Sequence, residues 1–175
     1  MTAKHTPEGL PIVTLEAQVE FNREQEESPD LADLIDQQIA EIYRTNPLAI
    51  SYVALVTSNY DNHHRETALS YCSGLYRLMQ KQTEINGSEV SLPLVTLKAI
   101  SEFFREFNET PLETYYPEKM IEIAEKTPMV FGYISSVNHL GQIDPLLNAT
   151  IVSGDVFGLY RILQIQAERD KKASF

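Results

Sequence analysis

Residues 10–24 read LPIVTLEAQVEFNRE and residues 92–106 read LPLVTLKAISEFFRE. Ten of these fifteen positions are identical, where roughly one would match by chance, and self-similarity at a fixed offset is the mark of a repeat architecture. Residues 74–84, GLYRLMQKQTE, return as GLYRILQIQAE at 158–168, with seven of eleven positions identical. Between these blocks the matches stay in order. Glu27-Ser28-Pro29 pairs with Glu109-Thr110-Pro111, IAEIYRTNP (39–47) with MIEIAEKTP (120–128), and PLAISYVALV (47–56) with PMVFGYISSV (128–137). The sequence therefore reads as two tandem repeats, 10–86 and 92–168. A linker at 87–91 joins them, with an N-terminal tail at 1–9 and a C-terminal tail at 169–175.

Each repeat reads as four helices. Proline is tolerated in the first turn of a helix, where no intrahelical N–H bond is lost. Ser28-Pro29, Asn46-Pro47, Thr127-Pro128 and Asp144-Pro145 are the expected starts. After Ser28 the apolar residues fall at Leu31, Leu34, Ile35, Ile39, Ile42 and Tyr43, a helical spacing with one core face. Asp61 is an expected N-cap, and Asn86-Gly87 an expected C-terminal stop. PLAISYVALVTSNY is apolar nearly all round, which suits a central helix or a buried strand. The preceding Asn-Pro and the length of the run favour helix.

The first block alone is ambiguous. Val13, Leu15, Ala17, Val19 and Phe21 alternate like a strand, but their partners Leu97, Ile100, Phe104 and Phe107 follow the helical period. Two copies should share one structure, so both are read as helices capped by Thr14 and Thr96. The expected helices lie near 14–25, 30–45, 47–59, 62–85, 96–107, 113–126, 128–140 and 145–171. Two repeats are too few for an open solenoid. The expected fold is all-α: two tandem four-helix repeats packed as one pseudo-twofold bundle, the covalent form of a C2 dimer.

Composition narrows the function. The chain has 175 residues, a net charge of −11 and one cysteine. Lone Cys72 excludes a disulfide framework and a four-cysteine zinc site. The acidic balance argues against direct nucleic-acid binding, which needs a basic face. No apolar run approaches the ~20 residues of a membrane span, and MTAKHTPEGL is not a signal peptide. A cytoplasmic location is expected, with no cofactor, as a monomer or homodimer.

No P-loop, GxGxxG, GxSxG or CxxC occurs, and no catalytic residue set stands out. Asp61, His63, His64 and Glu66 are the densest metal-capable set, but their spacing is not that of HExxH or a di-iron motif. Glu16 to Asp36 holds eight carboxylates against Arg23 alone, a solvated face or a surface that steers a basic partner. The repeat-matched polar residues Tyr76/Tyr160, Arg77/Arg161, Gln80/Gln164, Gln82/Gln166 and Glu84/Glu168 exceed what a core requires. They are read as packing near a twofold axis, with Arg77–Glu168 and Arg161–Glu84 exchanged between helices, or as twin Tyr–Arg binding sites.

The repeats also differ in one direction. Ile100, Phe104 and Phe107 form an apolar stripe where repeat 1 has Gln18, Asn22 and Gln25. This stripe is either core or an interface. The favoured function is an acidic protein-interaction module, an adaptor or inhibitor, with candidate contacts at Ile100, Phe104, Phe107, Tyr76, Arg77, Tyr160 and Arg161. The alternatives are a nucleic-acid-mimicking inhibitor of a DNA-binding or defence protein, and a metal-dependent enzyme centred on His63 and His64.

Overall fold

The computed structural model describes residues 4–87 and 91–174; the expected linker falls largely on residues 88–90, outside the described residues. Among the described residues the chain is all-helical, with one isolated bridge between His5 and Pro11. The helices are α1 (Leu15–Glu27), α2 (Leu31–Thr45), α3 (Pro47–Val56), α4 (Asn62–Ile85), α5 (Leu97–Glu109), α6 (Leu112–Lys126), α7 (Pro128–Val137), the single turn α8 (Leu140–Ile143) and α9 (Ala149–Ala173). No helix among them is long and apolar enough to cross a membrane.

The strand-like alternation of Val13 to Phe21 gives way to helix, and the central apolar run is helical too. Thr14 caps α1 by accepting from the Ala17 N–H, and Thr96 caps α5 by accepting from the Ala99 N–H. Each cap is itself pinned. The Thr14 N–H and hydroxyl both donate to Gln82 Oε1 at 2.8 Å. The Thr96 N–H and hydroxyl donate to Gln166 Oε1 at 3.0 and 2.7 Å. These bonds satisfy backbone groups that a helix start leaves orphaned.

Two expected starts are corrected. Ser28 does not cap α2; its hydroxyl donates to the Asp30 carbonyl, and the Asp30 carboxylate accepts from the Asp33 N–H. A carboxylate at the N-cap answers both the free N–H groups and the helix dipole. Likewise α9 starts not at Asp144-Pro145 but at Ala149, capped by Asn148. Asp144 instead ends α8.

Pro47 and Pro128 do open α3 and α7, but Asn46 and Thr127 do not cap them. Both are buried and reach across the molecule. Asn46 accepts from the Val95 N–H at 2.9 Å and donates to the Pro93 carbonyl at 2.8 Å and to Tyr76 Oη at 3.0 Å. Thr127 Oγ1 accepts from the Val13 N–H at 3.3 Å. Each half thus holds the segment that leads into the other half's first helix.

Helices α4 and α9 pack against each other at the centre. Around them α1, α2, α3 and α7 contact α4, while α5, α7 and α3 contact α9. One continuous apolar core links both halves, from Leu10 and Val13 to Ile165 and Ala167. Tyr133 of α7 lays its hydroxyl on Gly74 of α4, and Tyr52 of α3 lays its hydroxyl on Gly158 of α9, each where a Cβ would stand. Glycine is required at both crossings because any side chain would collide with the phenol. Before α1, residues 4–12 fold back against α9: Gln164 donates to Glu8, and Lys171 to the Pro7 carbonyl.

The halves differ at α6. α2 packs along both α3 and α4, whereas α6 packs on α7 and makes no comparably close backbone approach to α9. Pro117, inside α6, removes one helical hydrogen bond on that side.

Candidate functional site

Where α6 stands off α9, a cleft of about 520 Å³ opens between α3, α5, α6 and α9. Tyr52 and Val56 form one wall, Phe103, Phe104 and Phe107 another. Tyr116 and Pro117 close it from α6, and Ile151, Gly154, Asp155 and Phe157 line it from α9. The rings contact one another in series. Phe103 lies 5.8 Å from Tyr52, 5.5 Å from Phe104 and 6.1 Å from Phe107, and Tyr116 lies 5.0 Å from Phe157. Mostly edge-to-face contacts of this kind hold aromatic walls rigid.

Asp155 lines this apolar space as its one ionisable carboxylate. The residue is only 7% exposed. Tyr60 Oη reaches its Oδ1 at 3.4 Å, and its Oδ2 has no hydrogen-bond partner. Burial pushes its carboxyl up to about 6, against a small opposing effect of the Tyr60 hydrogen bond. Nothing in its spacing distinguishes Asp155 in the sequence. The available signal is its setting in VSGDVFGLYRIL, a stretch too apolar for a surface helix.

A second cleft of about 530 Å³ lies between α1, α2, α4 and α7. It is lined from the sequence-matched positions. Phe21 stands for Phe103, Asn22 for Phe104, Gln25 for Phe107, Tyr133 for Tyr52, Ile35 for Pro117 and Thr67 for Ile151. Ser70 and Tyr71 replace Gly154 and Asp155. Gln18 and Asn22 hydrogen-bond each other along the helix. One cleft is aromatic, the other largely polar.

Of the expected apolar stripe, Phe104 and Phe107 line the cleft, and Phe107 is 39% exposed. Ile100 is corrected: it is 8% exposed and belongs to the core. Ile100 shares the buried face of α5 with Ala99 and Phe103.

The Tyr–Arg pairs lie elsewhere. Tyr76 and Tyr160 are both buried, Tyr76 taking the Asn46 amide hydrogen bond and Tyr160 holding a hydroxyl without a partner. The expected exchange of Arg77–Glu168 and Arg161–Glu84 is corrected. Arg77 grips Glu24 of α1 through two bonds of 2.9 and 2.8 Å, with Glu84 at 3.1 Å. Arg161 grips Glu106 of α5 at 3.1 and 2.9 Å, with Glu168 at 3.5 Å. Each guanidinium spans a first helix of its own half and a carboxylate two turns along its own helix. The planar fork favours such paired contact with one carboxylate. The Arg77 hydrogen bond holds Glu24 below the ordinary carboxylate range. Burial opposes the same effect at Glu106, but the Arg161 bonds prevail.

Glu24 therefore leaves the acidic run, held also by Lys81 at 3.4 Å. Glu16, Glu26, Glu27, Asp30, Asp33 and Asp36 remain on the surface.

Of the metal-capable residues, Asp61, His63 and His64 stay close together at the start of α4. His63 pairs with Asp144 across the bundle. His64 Nδ1 meets the Asp61 carboxylate at 2.9 Å, and its Nε2 accepts from the Asn148 N–H at 2.9 Å. Glu66 instead lines the polar cleft. No group of three or more His, Cys, Asp or Glu side chains among the described residues could hold a metal ion. Cys72 is fully buried, which pushes its thiol up. Compared with known proteins, the chain matches no family model, no curated protein and no solved structure.

Proposed function

We propose that this protein is a soluble, cytoplasmic protein-interaction module, built as two tandem copies of one four-helix unit about a pseudo-twofold axis. It acts by contact: a partner protein seats apolar side chains in the cleft between α3, α5, α6 and α9. The observation that carries this reading is the contrast between matched positions. Phe104 and Phe107 stand at the wall of an open cleft where the first half has Asn22 and Gln25. A core requirement would be felt alike by both copies. An aromatic wall kept open on one copy suits recognition, since aromatic residues dominate the centres of binding surfaces. The pseudo-twofold reading is supported by the paired Thr–Gln locks, the paired Arg–Glu grips and the paired Tyr-on-Gly crossings.

The test is site-specific photo-crosslinking in the native host, with the photoreactive residue placed at Phe107 or at Gln25. The expected result is one protein captured from Phe107 and not from Gln25. Purified, that protein should bind the wild type and lose at least ten-fold in affinity to Phe107→Asp. Equal capture from both positions, or affinity unmoved by Phe107→Asp, would remove the cleft from the interaction.

A further inference from the structure

We infer that the polar cleft between α1, α2, α4 and α7 is a second binding site, and that it takes a neutral sugar: a saturated ring with adjacent hydroxyls and an apolar C–H face. It is independent of the docking reading above, which concerns the other cleft.

Helix α1 sorts its polar side chains by kind. Glu16, Glu20, Arg23, Glu26 and Glu27 are the charges of an ordinary solvated helix, and none of them lines the cleft. Gln18, Asn22 and Gln25 follow the helical spacing along one face and do line it, and all three are amides. From α4 come Thr67, Ser70 and Tyr71, and from α7 Ser136. Among the described residues of the lining, Glu66 alone is charged. Solubility by itself would be met by charge, as on the rest of α1. Amides and hydroxyls suit a ligand whose groups donate and accept at the same place, because they do both themselves. Sugar hydroxyls are groups of that kind.

The polar groups are aimed and open. Gln18 Nε2 donates to Asn22 Oδ1 at 3.1 Å, which leaves the Gln18 oxygen as an acceptor and the Asn22 nitrogen as a donor. Holding two side chains this way lowers the cost of ordering them around a ligand. Among the described residues no hydrogen bond engages the Gln25 amide, the Ser70 hydroxyl or the Tyr71 hydroxyl, and none of these atoms is closed off from solvent. Thr67 and Ser136 donate to carbonyls of their own helices and keep lone pairs to accept with.

Phe21, Tyr71 and Tyr133 supply the apolar part of the wall. Tyr133 meets Phe21 at 79° and Tyr71 at 54°. Neither pair is the parallel slot that would sandwich a flat base, whereas a single ring suits the C–H face of a sugar. Charge narrows the class further. No lysine or arginine lines the cleft, so a phosphate or carboxylate would meet only the like charge of Glu66. That carboxylate accepts from hydroxyls as the stronger, charge-assisted kind of acceptor. The volume of about 530 Å³ lies in the ordinary range for small-molecule sites.

The probes are glucose, galactose, mannose, maltose, cellobiose and lactose, with glucose 6-phosphate and gluconate as anionic controls. Binding to the full chain is followed by amide chemical shifts. The expected result is saturable binding of at least one neutral sugar, at about millimolar affinity or tighter. Shifts should be confined to α1, α2, α4 and α7, and the two anions should not bind. Asn22→Phe with Gln25→Phe gives this rim the residues that the other half carries at the matched positions, so it should keep the fold and lose the sugar. Tyr71→Ala should weaken binding about ten-fold through the lost ring. Gln25→Ala should weaken it about five-fold through one lost hydrogen-bonding group. Glu16→Gln, on α1 but outside the cleft, should leave it unchanged.

No binding by any of the six sugars, anions that bind as tightly as they do, or binding that survives the Asn22→Phe and Gln25→Phe variant would overturn the inference. Shifts centred outside these four helices would overturn it too. Capture from Phe107 would stand under each of these outcomes, so the sugar site and the docking reading fail separately.

Discussion

The cleft beside α9 and the cleft beside α4 share a position in their halves, a volume and an aromatic floor, Phe103 and Phe21. They part at the rim. Phe104, Phe107 and Ile151 line the first, where Asn22, Gln25 and Thr67 line the second. Two physical requirements separate here. The floor residues face the shared core, where a lost methylene costs stability in either copy. The rim residues face the opening, where polarity is free to follow use. The α6 helix adds to the difference. Its distance from α9 leaves the aromatic cleft open, while α2 packs along α4.

The comparison breaks most readily at the Tyr-on-Gly crossings. Gly74→Ala and Gly158→Ala each place a methyl where a tyrosine hydroxyl lies, and overpacking of this kind costs about 3 kcal/mol. Removing the hydroxyl should rescue the two unequally. With Tyr133→Phe, the new methyl at Gly74 meets the ring carbon at 3.4 Å, an ordinary contact. With Tyr52→Phe, the methyl at Gly158 still meets the ring at 3.0 Å and Phe103 at 3.3 Å. Urea denaturation of both double-mutant cycles should show the larger coupling energy at Gly74–Tyr133. Additive effects at both crossings would mean that the tyrosines yield freely.

The Arg–Glu grips come next. The Arg161 side chain is 10% exposed and that of Arg77 is 20%. Arg161→Ala strands Glu106 with Lys119 at 3.8 Å, while Arg77→Ala leaves Glu24 with Lys81 at 3.4 Å. Breaking a buried pair is costly because the remaining charge loses its partner. We expect about 2–3 kcal/mol for Arg161→Ala and about 1 kcal/mol for Arg77→Ala, given partial exposure. The two networks share no residue, so the double variant should be additive within about 0.5 kcal/mol. A strongly non-additive result would show the two halves coupled through these arginines after all.

A pH-dependent effect concerns Asp155, which has no acidic counterpart in the other cleft. Its folded carboxyl titrates at about 6, above the ordinary value near 3.9. The folded state then holds the proton more tightly than the unfolded state. Its contribution is full below about pH 4 and lost as pH rises through 6, amounting to at most about 2–3 kcal/mol. Asp155→Asn removes that dependence. Relative to wild type, the variant should therefore gain about 2 kcal/mol between pH 4.5 and pH 7.5 in denaturant melts. A flat difference would mean that water reaches the carboxyl in solution.

Much of the fold is legible in the sequence because helix formation is written locally. Thr14, Thr96 and Asp61 announce caps by residue type, and Pro47 and Pro128 mark first turns. The internal match resolved what local pattern left open: Val13 to Phe21 alternates like a strand, but its partner does not. The stripe of Phe104 and Phe107, which lines the cleft, was legible, because an apolar stripe facing polar matched positions is a difference visible in one dimension. Ile100 was not separable from them, since three residues on one helical stripe differ in burial only through what packs above each.

What escaped the sequence are the long-range partners. Asn46 and Thr127 look like caps, but burial against the opposite half gives their polar atoms nearer claims at Val95, Pro93 and Val13. Arg77 and Arg161 announce ion pairs, but several carboxylates compete for each, and only the approach of α1 and α5 selects Glu24 and Glu106. Asp155 is the clearest case. By itself the sequence determined an all-helical chain and one apolar stripe, because periodicity, capping and composition act within a few residues. Only the tertiary structure decided that α6 stands away from α9, that a cleft follows, and that a carboxylate with one unpaired oxygen lies buried beside it. Burial, and the loss of water that makes an unpaired charge costly, are properties of the packed whole.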